Sequence, residues 1–170
     1  MKQYTSGISG EEWLYAKLLN SDGEVVLTDS LKMTIKVPNL ISLESVSNDY
    51  VFYGGDNNLV HHTDHHYGTS SVCAKIKIIA ALYIKQYPSS KLRINDMSLV
   101  WGGLFDCESQ LTKEWSFPHE THRKGTNADI DDYTDDKKIV NDEVFRTILN
   151  TSQVNVKAVK FHSSHYHITF

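Results

Sequence analysis

All nine histidines of the chain fall in three short runs, HHTDHH at 61–66, HETH at 119–122 and HSSHYH at 162–167, and Asp129 follows the second run. Imidazole nitrogen and carboxylate oxygen are donors that a catalytic zinc takes, and packing alone does not crowd such residues into a few segments. Alternate side chains of a strand face one way, so His165 and His167 in HYHITF would point together while Tyr166 points to the other side. One of the two would bind a metal and the other act on its water. His122 and Asp129, separated by Arg-Lys-Gly-Thr-Asn-Ala, suit a segment that turns at Gly125 and returns as a strand. Two histidines and one carboxylate fill three positions of a tetrahedral zinc and leave the fourth for water, the arrangement of a catalytic and not a structural site. Such a site lowers the pKa of its water to about 7 and polarises a carbonyl.

These residues need elements to position them. Before residue 55, EEWLYAKLL, EVVLT and LKMTIKV alternate in the β manner, with Asn20-Ser21-Asp22-Gly23 as a turn signal, and predict a meander of short strands. Pro38 and the stretch to Asn48 interrupt it, and DYVFYGG adds a strand ending at Gly54-Gly55. From Ser70 the period changes: Val72, Ile76, Ile79, Ala80 and Tyr83 form one stripe, Ser70 or Ser71 caps it and Pro88 stops it, predicting a helix over 71–87. A strand is expected at 91–96, then a loop through Trp101-Gly102-Gly103, a helix at about 140–150 carrying Val140, Val144, Phe145, Ile148 and Leu149, and a terminal hairpin of VNVKAVKF and HYHITF. The expected class is α+β, a small antiparallel sheet with flanking helices. It divides into a β-rich segment or subdomain, 1–55, and a metal-bearing domain, 56–170.

At 170 residues, 40% hydrophobic and 22% charged, the chain is long enough for one core and ordinary for a globular protein. No apolar run reaches the ~20 residues that span a bilayer, so no transmembrane segment is expected. A net charge of −4 offers no electrostatic grip on nucleic acid. Cys73 and Cys107 are too few for a disulfide framework, and a single bridge between them stays open. The opening MKQYTSGISGEEW lacks the pattern of a secretory signal. HExxH, GxSxG and a phosphate loop are absent, which removes the commonest competing hydrolase and nucleotide readings.

The segment FPHETHRKGTNADI resembles the H-x-x-H-x-x-G-x-x-x-D-I motif of the penicillin-insensitive murein endopeptidases, and HSSHYH resembles their C-terminal H-x-x-H-x-H. The upstream NDMSLVWGG is similar to the stretch that precedes the first motif. These enzymes belong to the LAS group of zinc metallopeptidases, with the lysostaphin-type enzymes, the D-Ala-D-Ala metallopeptidases and the hedgehog signalling domain. The resemblance covers roughly residues 60–170 and implies an LAS-type core. It makes His122, Asp129 and His167 the ligands of one Zn2+ per chain and His165 the general base. His119 and His162 become further active-site histidines that steady the oxyanion or orient water, with Asp96 and Ser98 at the floor of the cleft. The implied activity is hydrolysis of an amide in peptidoglycan peptide cross-links, in the cell envelope, periplasmic or secreted, with the N-terminal β segment free to engage an envelope partner.

The chain departs from the family at Gly125-Thr126-Asn127-Ala128-Asp129, where the endopeptidases usually read Gly-Leu-Asp-Val-Asp: the ligand is kept and the carboxylate before it is an amide. The alternatives are a non-catalytic, hedgehog-like zinc module and a D-Ala-D-Ala carboxypeptidase of the same group. His61, His62, His65 and His66 read as a solvated polar loop capping the helix, or as a second metal site or the cleft rim, with 66–69 closing over it. Asp131, Asp132, Asp135 and Asp136 fit no EF-hand loop and read as a solvated face. Trp101 and Trp115 serve either the core or a substrate wall.

Overall fold

The apolar stripes become two α-helices packed on a sheet. The computed structural model describes residues 9–53, 65–103 and 119–170, without the side chains of residues 119 and 120. The chain is α+β, with two α-helices and mostly small sheets among the described residues.

Strands β1 (Gly10–Leu19) and β2 (Val25–Ile35) form one long antiparallel hairpin, not a meander. EVVLT and LKMTIKV merge because Asp29 and Ser30 between them contain no breaker, and both residues stay in the ladder opposite Ala16 and Tyr15. The turn is the one expected: Asn20 Oδ1 accepts from the amides of Asp22 at 3.0 Å and Glu24 at 2.8 Å. The hairpin leaves Trp13, Tyr15, Leu18, Leu27 and Leu31 exposed.

Among the described residues the buried hydrophobic core begins at Leu43. β3 (Leu40–Ser42) pairs with β5 (Tyr67–Thr69), and β4 (Tyr50–Phe52) lies parallel to β6 (Leu92–Ile94). The core therefore crosses residue 55, with Leu43 and Tyr50 buried together with the second half of the chain. β7 (Asn127–Thr134), β8 (Ala158–His162) and β9 (His165–Thr169) complete a five-stranded sheet in the order β4-β6-β7-β9-β8. Its neighbours are antiparallel except for β4 and β6, so the sheet is mixed where a wholly antiparallel one was expected.

Helix α1 (Ser70–Gln86) buries the whole predicted stripe, Val72, Ile76, Ile79, Ala80 and Tyr83. Its cap is Thr69, not Ser70 or Ser71: the Thr69 hydroxyl accepts from Val72 N at 3.3 Å. Tyr87 ends it, one residue before Pro88. Helix α2 (Asp142–Leu149) is capped by Asn141, carries Asp142 and Glu143 in its first turn, and buries Phe145, Ile148 and Leu149. Phe145 stands 4.7 Å from the Tyr166 ring and 6.3 Å from that of Tyr83, joining both helices to the sheet.

Two-residue alternation gives the sheet two chemical faces. Leu92, Ile94, Ala128, Ile130, Tyr166 and Ile168 are buried on the helix side. Strand register sets Asn127 opposite Thr169, Asp129 opposite His167, Asp131 opposite His165, and His162 opposite His165 on the other face.

Several expectations change at this level. Residues 66–69 are not a loop over a cleft, because Tyr67–Thr69 is a paired strand. The solvated-loop reading of the first histidine run fails for its second half, since His65 is 0% and His66 6% exposed. His66 stacks on Phe52 at 3.7 Å, and its Nε2 lies 3.1 Å from Ile94 O. His61, His62, Cys107 and Trp115 lie outside the described residues, and Cys73 is buried. The acidic stretch is split: Asp135 and Asp136 occupy an exposed turn, whereas Asp131 is buried and paired with Arg93 at 3.0 Å. Burial pushes the Asp131 carboxyl up to about 6, with Arg93 opposing and Asp132 adding.

Candidate metal centre

His122 comes from a short 3-10 helix, His119–Lys124. Gly125 then reverses the chain at φ +65°, in the left-handed region, and β7 begins two residues later. Gly125 N donates to His122 O at 3.1 Å, and Thr69 N donates to Gly125 O at 3.0 Å, which ties the turn to the start of α1. The Gly102-Gly103 pair docks on the same segment: Gly103 N donates to Arg123 O at 2.8 Å, and a Cβ on Gly102 would stand 2.7 Å from that oxygen. The glycine loop thus serves close backbone approach behind His122. Trp101 at its start packs beside Gly10 at the base of the hairpin.

Gly125→Ala tests this turn. Its Cβ would lie 2.3 Å from Leu40 Cδ2, 3.1 Å from Gly68 Cα and 3.2 Å from Thr69 N, and while the leucine tip can move, the two backbone atoms cannot move freely. Left-handed strain of about 1–2 kcal/mol and overpacking of about 1–3 kcal/mol predict a loss of about 2–5 kcal/mol. The check is the urea midpoint of the variant against the parent; an unchanged midpoint would show that the turn tolerates a side chain.

Asp129 is held from both sides of its own peptide. Its N–H donates to Asp96 O at 2.7 Å, and Asn95 N donates to Asp129 O at 2.8 Å. The side chain then points from the polar face of β7 toward three imidazoles. His167 Nδ1 is 2.7 Å from Oδ1, His122 Nε2 is 3.4 Å from Oδ2, and His165 Nε2 is 3.5 Å from Oδ2. Burial by itself disfavours the Asp129 carboxylate, yet hydrogen bonds from His122 and His167 and the charges of His122 and His165 prevail. They hold its pKa well below the ordinary carboxylate range.

The buried group His122, Asp129 and His167 can hold a metal ion: one ligand atom from each lies within 4.8 Å of the others. Divalent zinc bound tetrahedrally at about 2.0–2.1 Å keeps its ligand atoms about 3.3 Å apart. The 3.4 Å contact of His122 Nε2 with Asp129 Oδ2 has that spacing, and the 2.7 Å contact of His167 Nδ1 with the other oxygen, Oδ1, needs about 0.6 Å of opening. Two neutral imidazoles and one ionised carboxylate are a suitable donor set.

The other sequence-derived residues divide. His165 is partly exposed beside the group, and burial pushes its pKa below the ordinary histidine value; Asp129 opposes that shift and His162 adds to it. His162 is exposed, its ring 5.3 Å from that of His165 and 6.0 Å from that of His167. The backbone of His119 opens the 3-10 helix, and its side chain lies outside the described residues. Asp96 is buried 3.8 Å from His65 Nε2, and its charge reaches His165. Ser98 is buried and bridges to Tyr67 through the backbone.

Sequence reasoning gave Thr121 no role, marked Asn127 only as the amide standing where the family has a carboxylate, and offered His65 a second metal site or the cleft rim among its readings. Asn127 shares the polar face of β7 with Asp129 and touches His167, as does Thr121. The signal for Asn127 was its two-residue spacing from Asp129 on a strand. His65 carried no such signal, because its contact with Asp96 is made through the fold.

Among the described residues, no helix is long and apolar enough to cross a membrane. Comparison with known protein families and with curated proteins finds no match for this chain, so its likeness to the murein endopeptidases rests on the motifs themselves.

Proposed function

We propose that this chain is a zinc-dependent amide hydrolase with an LAS-type core and that its substrates are the peptide cross-links of peptidoglycan, which would place it in the cell envelope. The observation that carries the proposal is the convergence of His122, Asp129 and His167 with His165 beside them, on one face of one sheet. Motif order supports the substrate class: H-x-x-H, then the aspartate, then H-x-x-H-x-H.

His122 through Nε2, Asp129 through its carboxylate and His167 through Nδ1 would hold the ion. The chemistry zinc supplies when bound there is Lewis acidity toward the scissile carbonyl and toward water. His165, kept neutral by its lowered pKa, has a nitrogen lone pair free to take the proton of the attacking water. His162, exposed next to it, would give a proton to the leaving amine, and His119 is assigned a helping role by the motif alone. A recognition module would keep the three ligands without needing His165.

Digestion of purified cross-linked muropeptides, followed by mass spectrometry, tests the proposal. Cleavage should be lost with chelator and restored by zinc. Release of free D-alanine in place of cross-link opening would reassign the enzyme as a D-Ala-D-Ala carboxypeptidase. Stoichiometric zinc with no chelator-sensitive cleavage of any peptide would leave a metal-binding module.

A further inference from the structure

His167 presents two nitrogens to two different partners. Nδ1 lies 2.7 Å from Asp129 Oδ1, inside the metal group. Nε2 faces the other way, 3.0 Å from the side-chain nitrogen of Asn127 and 3.4 Å from the hydroxyl of Thr121. The Asn127 amide is buried, at 5% exposure, and is itself held: its nitrogen donates to Thr169 Oγ1 at 2.9 Å, and its oxygen accepts from Thr126 Oγ1 at 3.0 Å.

A neutral imidazole carries one proton, so the partner of Nε2 decides what Nδ1 can do. With the amide nitrogen donating to Nε2, the ring proton sits on Nδ1 and is given to Asp129. Ligation through Nδ1 requires the other tautomer, in which Nε2 carries the proton and needs an acceptor. A half-turn of the Asn127 amide supplies one. Its oxygen then accepts from Nε2–H and from the Thr169 hydroxyl, and its nitrogen faces the Thr126 hydroxyl, which turns from donor to acceptor. The same buried side chain satisfies both tautomers without moving the backbone.

We propose that Asn127 is the positioning residue for the metal centre: it holds His167 with Nδ1 inward and, by turning its amide over, accepts the Nε2 proton of the ligating tautomer. This rests on reading His122, Asp129 and His167 as metal ligands. Outer hydrogen-bond partners of ligating histidines are worth about 10–100-fold in metal affinity. Thr121, at the longer distance, is the secondary partner.

The experiment uses the full chain and zinc alone. Competition with a chromophoric chelator gives zinc affinity for the parent, Asn127→Leu, Asn127→Asp and Thr121→Ala. Long-range nitrogen–proton NMR of the zinc-loaded parent reads the His167 tautomer. The leucine variant, which keeps the volume and loses the acceptor, should bind zinc about 10–100-fold more weakly. The aspartate variant, which retains an acceptor, should recover the parent's affinity or exceed it, and Thr121→Ala should change it less than Asn127→Leu does. The loaded parent should show His167 protonated at Nε2. Parent-like zinc affinity in Asn127→Leu, failure of the aspartate to rescue, or a loaded His167 protonated at Nδ1 would each overturn the role of Asn127 while leaving the metal site standing. A parent that takes up no zinc would overturn the metal reading, and this inference with it.

Discussion

Asp129→Ala is expected to abolish useful zinc binding, with affinity falling more than the ~100-fold upper range for loss of an outer partner, because a ligand itself is removed. The carboxylate is the common neighbour of His122, His165 and His167, within 2.7–3.5 Å of each. It is also 3% exposed, so water cannot readily replace it. Zinc at 100 times its dissociation constant should stabilise the parent by about 2.7 kcal/mol, seen as a higher melting temperature, and should leave the variant unmoved. Without metal, the variant should also be less stable by about 1–3 kcal/mol, since buried His122 and partly buried His167 lose their acceptor. The pH dependence has a definite sign. The folded pKa of Asp129 lies below its unfolded value of about 3.9, so its contribution is fully present above that value and is lost as pH falls toward the folded pKa. An equal zinc-induced rise in melting temperature for parent and variant would remove Asp129 from the ligand set.

His165→Ala should lower muropeptide hydrolysis by about 10²–10⁴-fold, the range of a positioned general base, while zinc affinity stays near that of the parent. The separation of the two readouts is the point. His165 approaches Asp129 from outside the ligand group and is the more exposed of the β9 histidines, with its side chain 27% accessible against 14% for His167. Burial lowers its pKa below the ordinary histidine value of 6.5, so the base is neutral at pH 7. Hydrolysis by the parent should therefore fall on acidification only below about pH 6.5, as His165 takes up a proton. Residual activity of the variant should lack that limb. A variant that loses zinc would make His165 a ligand, and one that keeps both rate and acid limb would remove it from catalysis.

The helices were legible because each carries its own signals: five stripe residues of α1 are buried as their spacing predicts, and Pro88 marks its end. The ends were less so. Thr69 took the cap from Ser70 and Ser71 because β5 delivers Thr69 in extended geometry at the helix start. In the N-terminal half, alternation correctly marked strands but gave no sign that two of them are one, since continuity depends on β1 pairing along the whole length of β2. β3, within the stretch read as an interruption, is three residues long and exists through its pairing with β5. The first histidine run was misread for a similar reason. His65 and His66 look polar and local, yet the Phe52 ring, the Ile94 carbonyl and the Asp96 carboxylate beside them come from β4, the end of β6 and the segment just after it.

By itself the sequence determined which side chains are available for chemistry and which of them share a side within one strand. Two-residue spacing puts His165 with His167, and Asn127 with Asp129 and Asp131, whatever the rest of the chain does. Only the tertiary structure decided that these two sets face each other: the β7–β9 register joins Asp129 to His167, 38 residues on, and depends on packing Ile130 and Tyr166 into the core. It also decided that Gly125 returns His122 to that face, that Nδ1 of His167 is the inward nitrogen, and that Asn127 waits on its outward one. Periodicity is set by the covalent geometry of a single segment, whereas the angstrom-scale distances of a metal centre are set by how distant segments share a core.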